Sequence, residues 1–263
     1  MLPQTAVFAI TNYKPLKYTH ALWAGERFRT ILMGISSKHY GSDGIPRIIS
    51  GRNIDGSALR ESHAHISYLS VPNTIEGSIS HMILYSPLGF DSEAQIVLMM
   101  FRRFWINSNR DYSVKLLGFL DVDSTSKLLS DKPGILVSAT EWESITPFIL
   151  NRHLHLRNSR MKNSSLRHHE FERVLIEEVK RELEFRHFPV PEKVSLFSAD
   201  GVSLNNHFIS WSAFKRIRLK GIENQIDTHG YGFRITFSKP VRGPINLGYG
   251  CHYGLGLFRA VSE

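Results

Sequence analysis

Residues 64–85 read AHISYLSVPNTIEGSISHMILY and hold two apolar runs, Ala64 to Val71 (AHISYLSV) and Ser78 to Tyr85 (SISHMILY), which follow one another directly. Each reads as a strand. Upstream, Ala6 to Thr11 (AVFAIT) is a further strand, and Thr19 to Met33 places Ala21, Leu22, Phe28, Ile31 and Leu32 at helical spacing, with Thr19 as N-cap. Downstream, Asp91 to Trp105 carries Ile96, Val97, Met99, Met100 and Phe104 on a helical stripe opened by Asp91 or Ser92, and Val114 to Val122 reads as a strand. The order is β-α-β-β-α-β, that of a ferredoxin-like unit.

The second half begins with Ile145 to Leu150 as a strand. A basic, polar stretch follows, then a helix from about His168 to Arg186, whose Phe171, Val174, Leu175, Val179 and Leu183 share a face. Val194 to Ser198, Phe214 to Leu219 and Phe233 to Phe237 complete it as strands. The α-β-β order recurs, so the expected fold is α+β with tandem ferredoxin-like lobes, residues 1–130 and 131–263. The boundary is placed near Leu129 to Gly134, within the turn-rich Ser124 to Glu143. No close sequence repeat accompanies the recurrence.

A chain of 263 residues, 42% hydrophobic and 21% charged, can bury a substantial core and is of ordinary globular composition. No apolar run approaches the roughly 20 residues that cross a bilayer, and the start MLPQTAVFAITNYKPLK lacks the pattern of a secretory signal, so no membrane partner and a cytoplasmic setting are expected. The single cysteine, Cys251, excludes an intrachain disulfide and a multi-cysteine zinc site. A formal charge of +8, with 13 histidines besides, favours a polyanionic partner.

The segment Pro240 to Leu257, PVRGPINLGYGCHYGLGL, carries five glycines within fourteen residues: Gly243, Gly248, Gly250, Gly254 and Gly256. Side chains are nearly absent there, so backbone amides can come close to phosphates. Tyr249 and Tyr253 are interleaved with Arg242, His252 and Arg259, a mixture suited to single-stranded nucleic acid. The alternative is a tight turn in a β-rich region.

With these residues in view, the chain resembles a known family. KPVRGPINLGYGCHYGLGLFRA is similar to the terminal glycine-rich loop of RAMP-superfamily CRISPR endoribonucleases. SGRNIDGSALRESHAHISYL resembles a segment of the type I-G (formerly I-U) fused backbone and processing subunit, and GSISHMILYSPLGFD and WESITPFIL continue in that order. The resemblance implies two ferredoxin-like lobes that bind CRISPR repeat RNA and cut it without metal or other cofactor. It implies the neighbouring 2′-hydroxyl as nucleophile, a cyclic phosphate product and retention of the crRNA for a type I effector complex. The fused relative carries a further backbone-type lobe for which 263 residues leave no room, so a separate backbone-type subunit is the expected partner.

Such a cut needs a base for the 2′-hydroxyl proton and an acid for the leaving oxygen, and imidazole serves either role near neutrality. His63 and His65 stand two apart at the start of a predicted strand, hence on one face, and form the leading catalytic pair. A metal site built on the same pair has only Glu61 nearby to complete it, and a structural role at a strand end is the other alternative. His39 and Tyr40, in what reads as a long Gly-, Ser- and Arg-rich loop from Gly34 to Ser62, are a second candidate, because the resemblance implies a histidine there. His20 sits at the start of the first helix, where the dipole makes it a poorer acid.

Lys38, Arg47, Arg52 and Arg60 surround these histidines and suit a scissile phosphate, or form a solvated loop. Arg152, Arg157 and Arg160 belong to a stretch with six basic or histidine residues in eleven, suited to phosphates or to pairing with the acidic helix that follows. Lys215, Arg216, Arg218 and Lys220 alternate with Ile217 and Leu219 on a strand-like edge. Two other functions compete. A two-histidine cyclic phosphoesterase needs two H-x-S/T motifs, and only His65-Ile66-Ser67 is present. A non-catalytic subunit capping the 3′ end of a guide RNA shares the loop and the charge.

Overall fold

The structure, a computed structural model, describes residues 1–53, 55–57, 59, 65–73, 77–107, 110–129, 134–151, 164–197, 200–204, 207–219 and 229–261. Its first part contains β1 (Thr5–Thr11), α1 (Ala21–Tyr40), the one-turn α2 (Arg47–Ser50), β2 (Ser67–Asn73), β3 (Ser78–Tyr85), α3 (Ser92–Met100), β4 (Arg103–Asn107), β5 (Arg110–Leu120) and α4 (Val122–Leu128). The strands form an antiparallel sheet in the order β2-β3-β1-β5-β4. Without its edge strand β4, this is the ferredoxin-like order, with the first strand between the third and the last.

The second part contains β6 (Ser138–Ser144), α5 (Ser164–Phe185), β7 (Lys193–Leu196), a β8 (Gly201–Leu204) to β9 (His207–Ser210) hairpin, β10 (Phe233–Arg242) and β11 (Phe258–Ala260). Its antiparallel sheet runs β11-β6-β10-β7, the same order again, with the hairpin outside it. The tandem ferredoxin-like α+β architecture therefore rests on strand pairing in both halves. One difference separates the halves. Where the first sheet uses α3 to connect its third and last strands, the second uses residues 243–257, which hold only a 3-10 turn at Cys251–Tyr253.

Helix α5 is held by Leu175, Val179 and Leu183, each fully buried at four-residue spacing against Phe148, Phe233 and Ile235. Burial of each such side chain contributes roughly 1.5–3 kcal/mol. In α1, Leu22, Phe28 and Leu32 are fully buried, and Phe28 meets Phe8, Phe101 and Phe104 edge to face. Asp91 caps α3, its carboxylate accepting from Ala94 N–H at 2.8 Å.

Several elements depart from the sequence reading. The loop expected from Gly34 begins at Gly41: α1 continues to Tyr40, since packing Ile35 and Tyr40 against the core outweighs the cost of roughly 1 kcal/mol for Gly34 inside a helix. Thr19 is not its N-cap; His20 holds that position without a side-chain cap bond. Helix α3 stops at Met100, because Phe104 and Ile106 are buried on either side of exposed Trp105, the period of a strand. The strand expected at Ile145 to Leu150 lies earlier, at Ser138–Ser144, and Pro147 supplies no N–H to a ladder. Phe214 to Leu219 is not a strand. It runs irregularly beside α1, where buried Glu26 accepts from Arg218 Nε at 2.5 Å and from Leu219 N–H at 2.7 Å. Among the described residues, no helix is long and apolar enough to cross a membrane.

Candidate functional site

The glycine-rich segment is seated between the two sheets' helices. Leu255 joins Leu22 of α1 and Ile149 in a small buried cluster, against which Trp23, Tyr249 and Tyr253 pack. Gly25 permits this seat: a Cβ there would stand 2.7 Å from the Tyr253 carbonyl oxygen and 2.8 Å from its Cα. Tyr253 also stacks on Tyr68 of β2 at 6.1 Å, and Arg218 covers its ring at 4.9 Å. Gly243, Gly248, Gly254 and Gly256 are all buried. Gly256 shows why: it has φ +56°, and a Cβ would fall 1.8 Å from the Leu247 carbonyl oxygen. The half-exposed part of the segment is Tyr249 to Tyr253, omitting buried Cys251.

That seat brings His252 onto His65. Their ring centroids are 3.9 Å apart and the planes are tilted by 31°. The Nδ1 atom of His252 lies 3.3 Å from Ser67 Oγ, and Asn246 Nδ2 donates to the same hydroxyl at 3.3 Å and to the Cys251 carbonyl at 3.1 Å. Burial, with the Arg29 guanidinium adding to it, pushes the His65 imidazole below its ordinary value of 6.5. His65 is therefore neutral at pH 7 and able to accept a proton.

Beneath the segment, α5 supplies Glu182 and Arg186, both about nine-tenths buried and 2.5 Å apart. Glu182 accepts from the Gly248 N–H at 3.2 Å and from Asn151 Nδ2 at 2.9 Å. Arg186 donates to Cys251 Sγ at 3.3 Å. Burial pushes the Glu182 carboxyl up, but Arg186 and these donors hold it below the usual range; burial raises the Cys251 thiol. Arg186 and His252 border two clefts. One, of about 300 Å³, includes Tyr249 and Arg218, and the other, of about 270 Å³, includes Ser67, Tyr85 and Asn246.

Among the residues singled out by sequence, Arg47 and Arg52 belong to the segment that His65 packs against. Gly51 faces the His65 side chain, and Ile66 N–H donates to the Ile48 carbonyl at 3.3 Å. Arg47 donates to Asn53 Oδ1 at 2.7 Å and Arg52 to the Gly56 carbonyl at 3.0 Å, so both also hold their own loop. Arg242 is paired with Asp123 at 2.5 Å. His39 and Tyr40 are not brought to His65. They stack edge on at 4.5 Å, with exposed Lys38, roughly 15 Å along α1 from Arg29. His63, Arg60, Arg152, Arg157, Arg160 and Lys220 lie outside the described residues.

Sequence reasoning missed Arg29, Ser67, Glu182, Arg186 and Asn246 as site residues, and the pairing of His252 with His65. Glu182 and Arg186 stand four apart on one helix, which was a visible signal. Contacts between β2 and a segment near the other end of the chain leave no local pattern.

The fold and this seat define a tandem ferredoxin-like protein whose last crossover is a glycine-rich loop closed over the first lobe. Solved structures to which the chain is similar include a Cas6b crystal structure (15% identity, 99% of this chain, 100% of that chain, TM-score 0.44). A CRISPR-associated Cas6 protein (12%, 98% and 98%, 0.45) and a RAMP protein binding different RNA substrates (10%, 100% and 100%, 0.43) are also similar. The likeness is one of chain trace, and the fold stands on its own strand pairings. No family model and no curated protein matches the sequence.

Proposed function

We propose that the protein is a CRISPR repeat-RNA processing endoribonuclease that cuts without metal and retains its crRNA, as the processing subunit of a type I-G-like system with a separate backbone-type subunit. The observation that carries this reading is the His65 and His252 contact, made by a glycine- and tyrosine-rich segment on a chain of net charge +8.

Neutral His65 takes the proton of the 2′-hydroxyl beside the scissile bond, and the 2′-oxygen attacks the adjacent phosphorus. The bond from phosphorus to the 5′-oxygen breaks, and that oxygen receives a proton from His252. The products are a 2′,3′-cyclic phosphate and a free 5′-hydroxyl, and no oxidant or water is consumed. Arg29, Arg47 and Arg52 supply positive charge near the developing phosphorane charge. Tyr249, Gly250 and His252 give the RNA an aromatic side chain, an imidazole and a half-exposed backbone. His63, expected from the sequence as the other half of a catalytic pair with His65, belongs to the same proposal, as do Arg60, Arg152, Arg157 and Arg160 as additional RNA contacts.

The test is incubation of purified protein with cognate repeat RNA in excess EDTA, with analysis of product ends. A single cut bearing a cyclic phosphate, lost in His65→Ala and in His252→Ala, is expected. Tight binding without a cut would instead make the protein a guide-RNA capping subunit. Normal cutting by both variants would remove this pair from the mechanism and return attention to His63, His39 and Tyr40.

A further inference from the structure

Among the described residues, the one residue other than glycine with a positive φ is His187, at +59°. It stands just past the end of α5. Phe188 N–H donates to the Leu183 carbonyl at 3.0 Å and His187 N–H to the Glu184 carbonyl at 2.9 Å, the paired bonds of a Schellman turn. Glycine usually fills the position that His187 holds, because a Cβ disfavours the left-handed backbone. Packing fixes the turn through Phe188, which lies against the core of the second lobe, while the His187 imidazole is exposed. No hydrogen bond, ion pair or ring contact with another described residue uses that imidazole, so nothing in the turn calls for histidine.

The imidazole lines the cleft of about 270 Å³ that also includes His252. In that cleft Ser67 and Asn246 are buried and bonded to one another, and Ser67 meets His252 at Nδ1. Tyr85 is the register partner of Ser67 and shares its face of the sheet. Burial pushes the Tyr85 phenol above its ordinary value, so it remains a donor at neutral pH. Donors from Tyr85, His187 and His252 therefore share one cleft, and among its described lining residues there is no Asp or Glu. Arg186 lines it too, but its charge is engaged by Glu182. The carbonyls at the end of α5, which would repel an anion, are already taken: Glu182 O accepts from Arg186 Nη1 at 3.0 Å, and Leu183 O and Glu184 O from the turn. Such a set suits a phosphate.

In the cleavage proposed above, His252 protonates the 5′-oxygen that departs, so the first nucleotide of the leaving strand stands beside His252. We infer that this cleft receives the sugar of that nucleotide and that His187 donates to the phosphate on its 3′ side. The inference rests on the cleavage reading and adds to it a phosphate subsite for the departing strand, with His187 as its binding residue.

The test uses the full chain and repeat RNA shortened to end one nucleotide past the mapped cut, with either a 3′-hydroxyl or a 3′-phosphate. A 2′-deoxyribose at the cut nucleotide prevents cleavage while affinity is measured. The unsubstituted protein should bind the 3′-phosphate RNA about tenfold more tightly, the increment of one charge-assisted hydrogen bond. His187→Gly suits a φ of +59° and so keeps the turn; it should bind the two RNAs within about twofold of each other, with its urea midpoint retained. His187→Asn also accepts a left-handed backbone and keeps an N–H donor, and should retain part of the preference. A phosphate at the 5′ end of the same RNA controls for general attraction to a chain of net charge +8, and His187→Gly should leave its effect unaltered. Equal affinity for the two 3′ ends in the unsubstituted protein, or a preference that survives His187→Gly, overturns the subsite and leaves the cleavage reading intact. Repeat RNA that is bound without a cut, or not bound, overturns the cleavage reading and the subsite with it.

Discussion

The imidazoles of His65 and His252 face each other at 3.9 Å, although one lies two residues before β2 of the first sheet and the other lies in the loop before the last strand of the second. Their contact depends on the seat of that loop, so the two histidines report on one another and on how the lobes are joined.

Because burial, and secondarily Arg29, hold His65 below 6.5, its role as base places the acid limb of the cleavage rate below that value. Single-turnover rates on repeat RNA from about pH 5 to about pH 8 measure it. Arg29→Met, which removes the secondary cause, moves the limb upward. An acid limb above 6.5 in the unsubstituted protein excludes His65 as the base. The same shift affects stability. His65 contributes nothing against folding above 6.5, where both states are neutral, and costs stability as pH falls from there through its folded value, since the unfolded chain then binds the additional proton.

Two glycines of α1 separate helix propensity from packing. Gly34 is exposed with nothing within 4 Å of an added Cβ, so Gly34→Ala stabilises the protein by about 0.5–1 kcal/mol. Gly25→Ala gains the same propensity but drives a methyl to 2.7 Å from the Tyr253 backbone, which displaces the loop and costs about 1–3 kcal/mol. Urea unfolding of the two variants should give opposite signs, with cleavage reduced only for Gly25→Ala.

The contrast between these two glycines also marks what the sequence could disclose. Strand order was legible because the short apolar runs ending in residues 67–73 and 78–85, and the i, i+4 spacing of Leu175, Val179 and Leu183, are local signals. Helix α1 was cut short because Gly34 looks like a breaker when its neighbours' burial is unknown. Residues 214–219 looked like a strand because their charged and apolar residues alternate, while the carboxylate that organises them, Glu26, lies in another element. The glycine density was visible, but four of the five glycines are buried against other parts of the chain, a property of tertiary contact. His65 was legible as a candidate from its expected place at a strand entry, although β2 begins only at Ser67, and its partner His252 only as one basic residue among several.

Glu182 anchors the loop from below through Arg186 and the Gly248 amide. Glu182→Ala leaves a guanidinium nine-tenths buried without its carboxylate, a change that costs about 3–5 kcal/mol. Glu182→Gln keeps an acceptor for Gly248 and is expected to lose less. The depressed Glu182 value means that its contribution is complete above the ordinary carboxylate value and disappears as pH falls through the folded one. The urea midpoint of Glu182→Gln across that acid range should therefore converge on that of the unsubstituted protein at low pH, while Glu182→Ala stays below both. A constant difference for Glu182→Gln would show that the charge of Glu182 is not what stabilises the loop.

Affinity for repeat RNA should fall linearly on a log scale with salt, and the basic residues should divide by whether an acid already holds them. Arg47 and Arg52 bond to neutral acceptors, Asn53 Oδ1 and the Gly56 carbonyl, on the segment that packs against His65, and Arg47 also lies near enough to Asp55 to lower its carboxyl. Arg259 is held by Glu143 at 2.5 Å, a carboxylate that also pairs with Arg234 at 3.1 Å, so its charge is partly balanced. Each phosphate contact on a single strand contributes about 0.7 to the slope of log affinity against log salt. Removing both Arg47 and Arg52 as glutamines should therefore lower the slope by roughly 1.4, about twice that single-strand value, whereas Arg259→Gln should leave it unchanged. If Arg259→Gln alone flattens the slope, RNA crosses the outer strands of the second sheet, and the path over His65 and the glycine-rich segment is wrong.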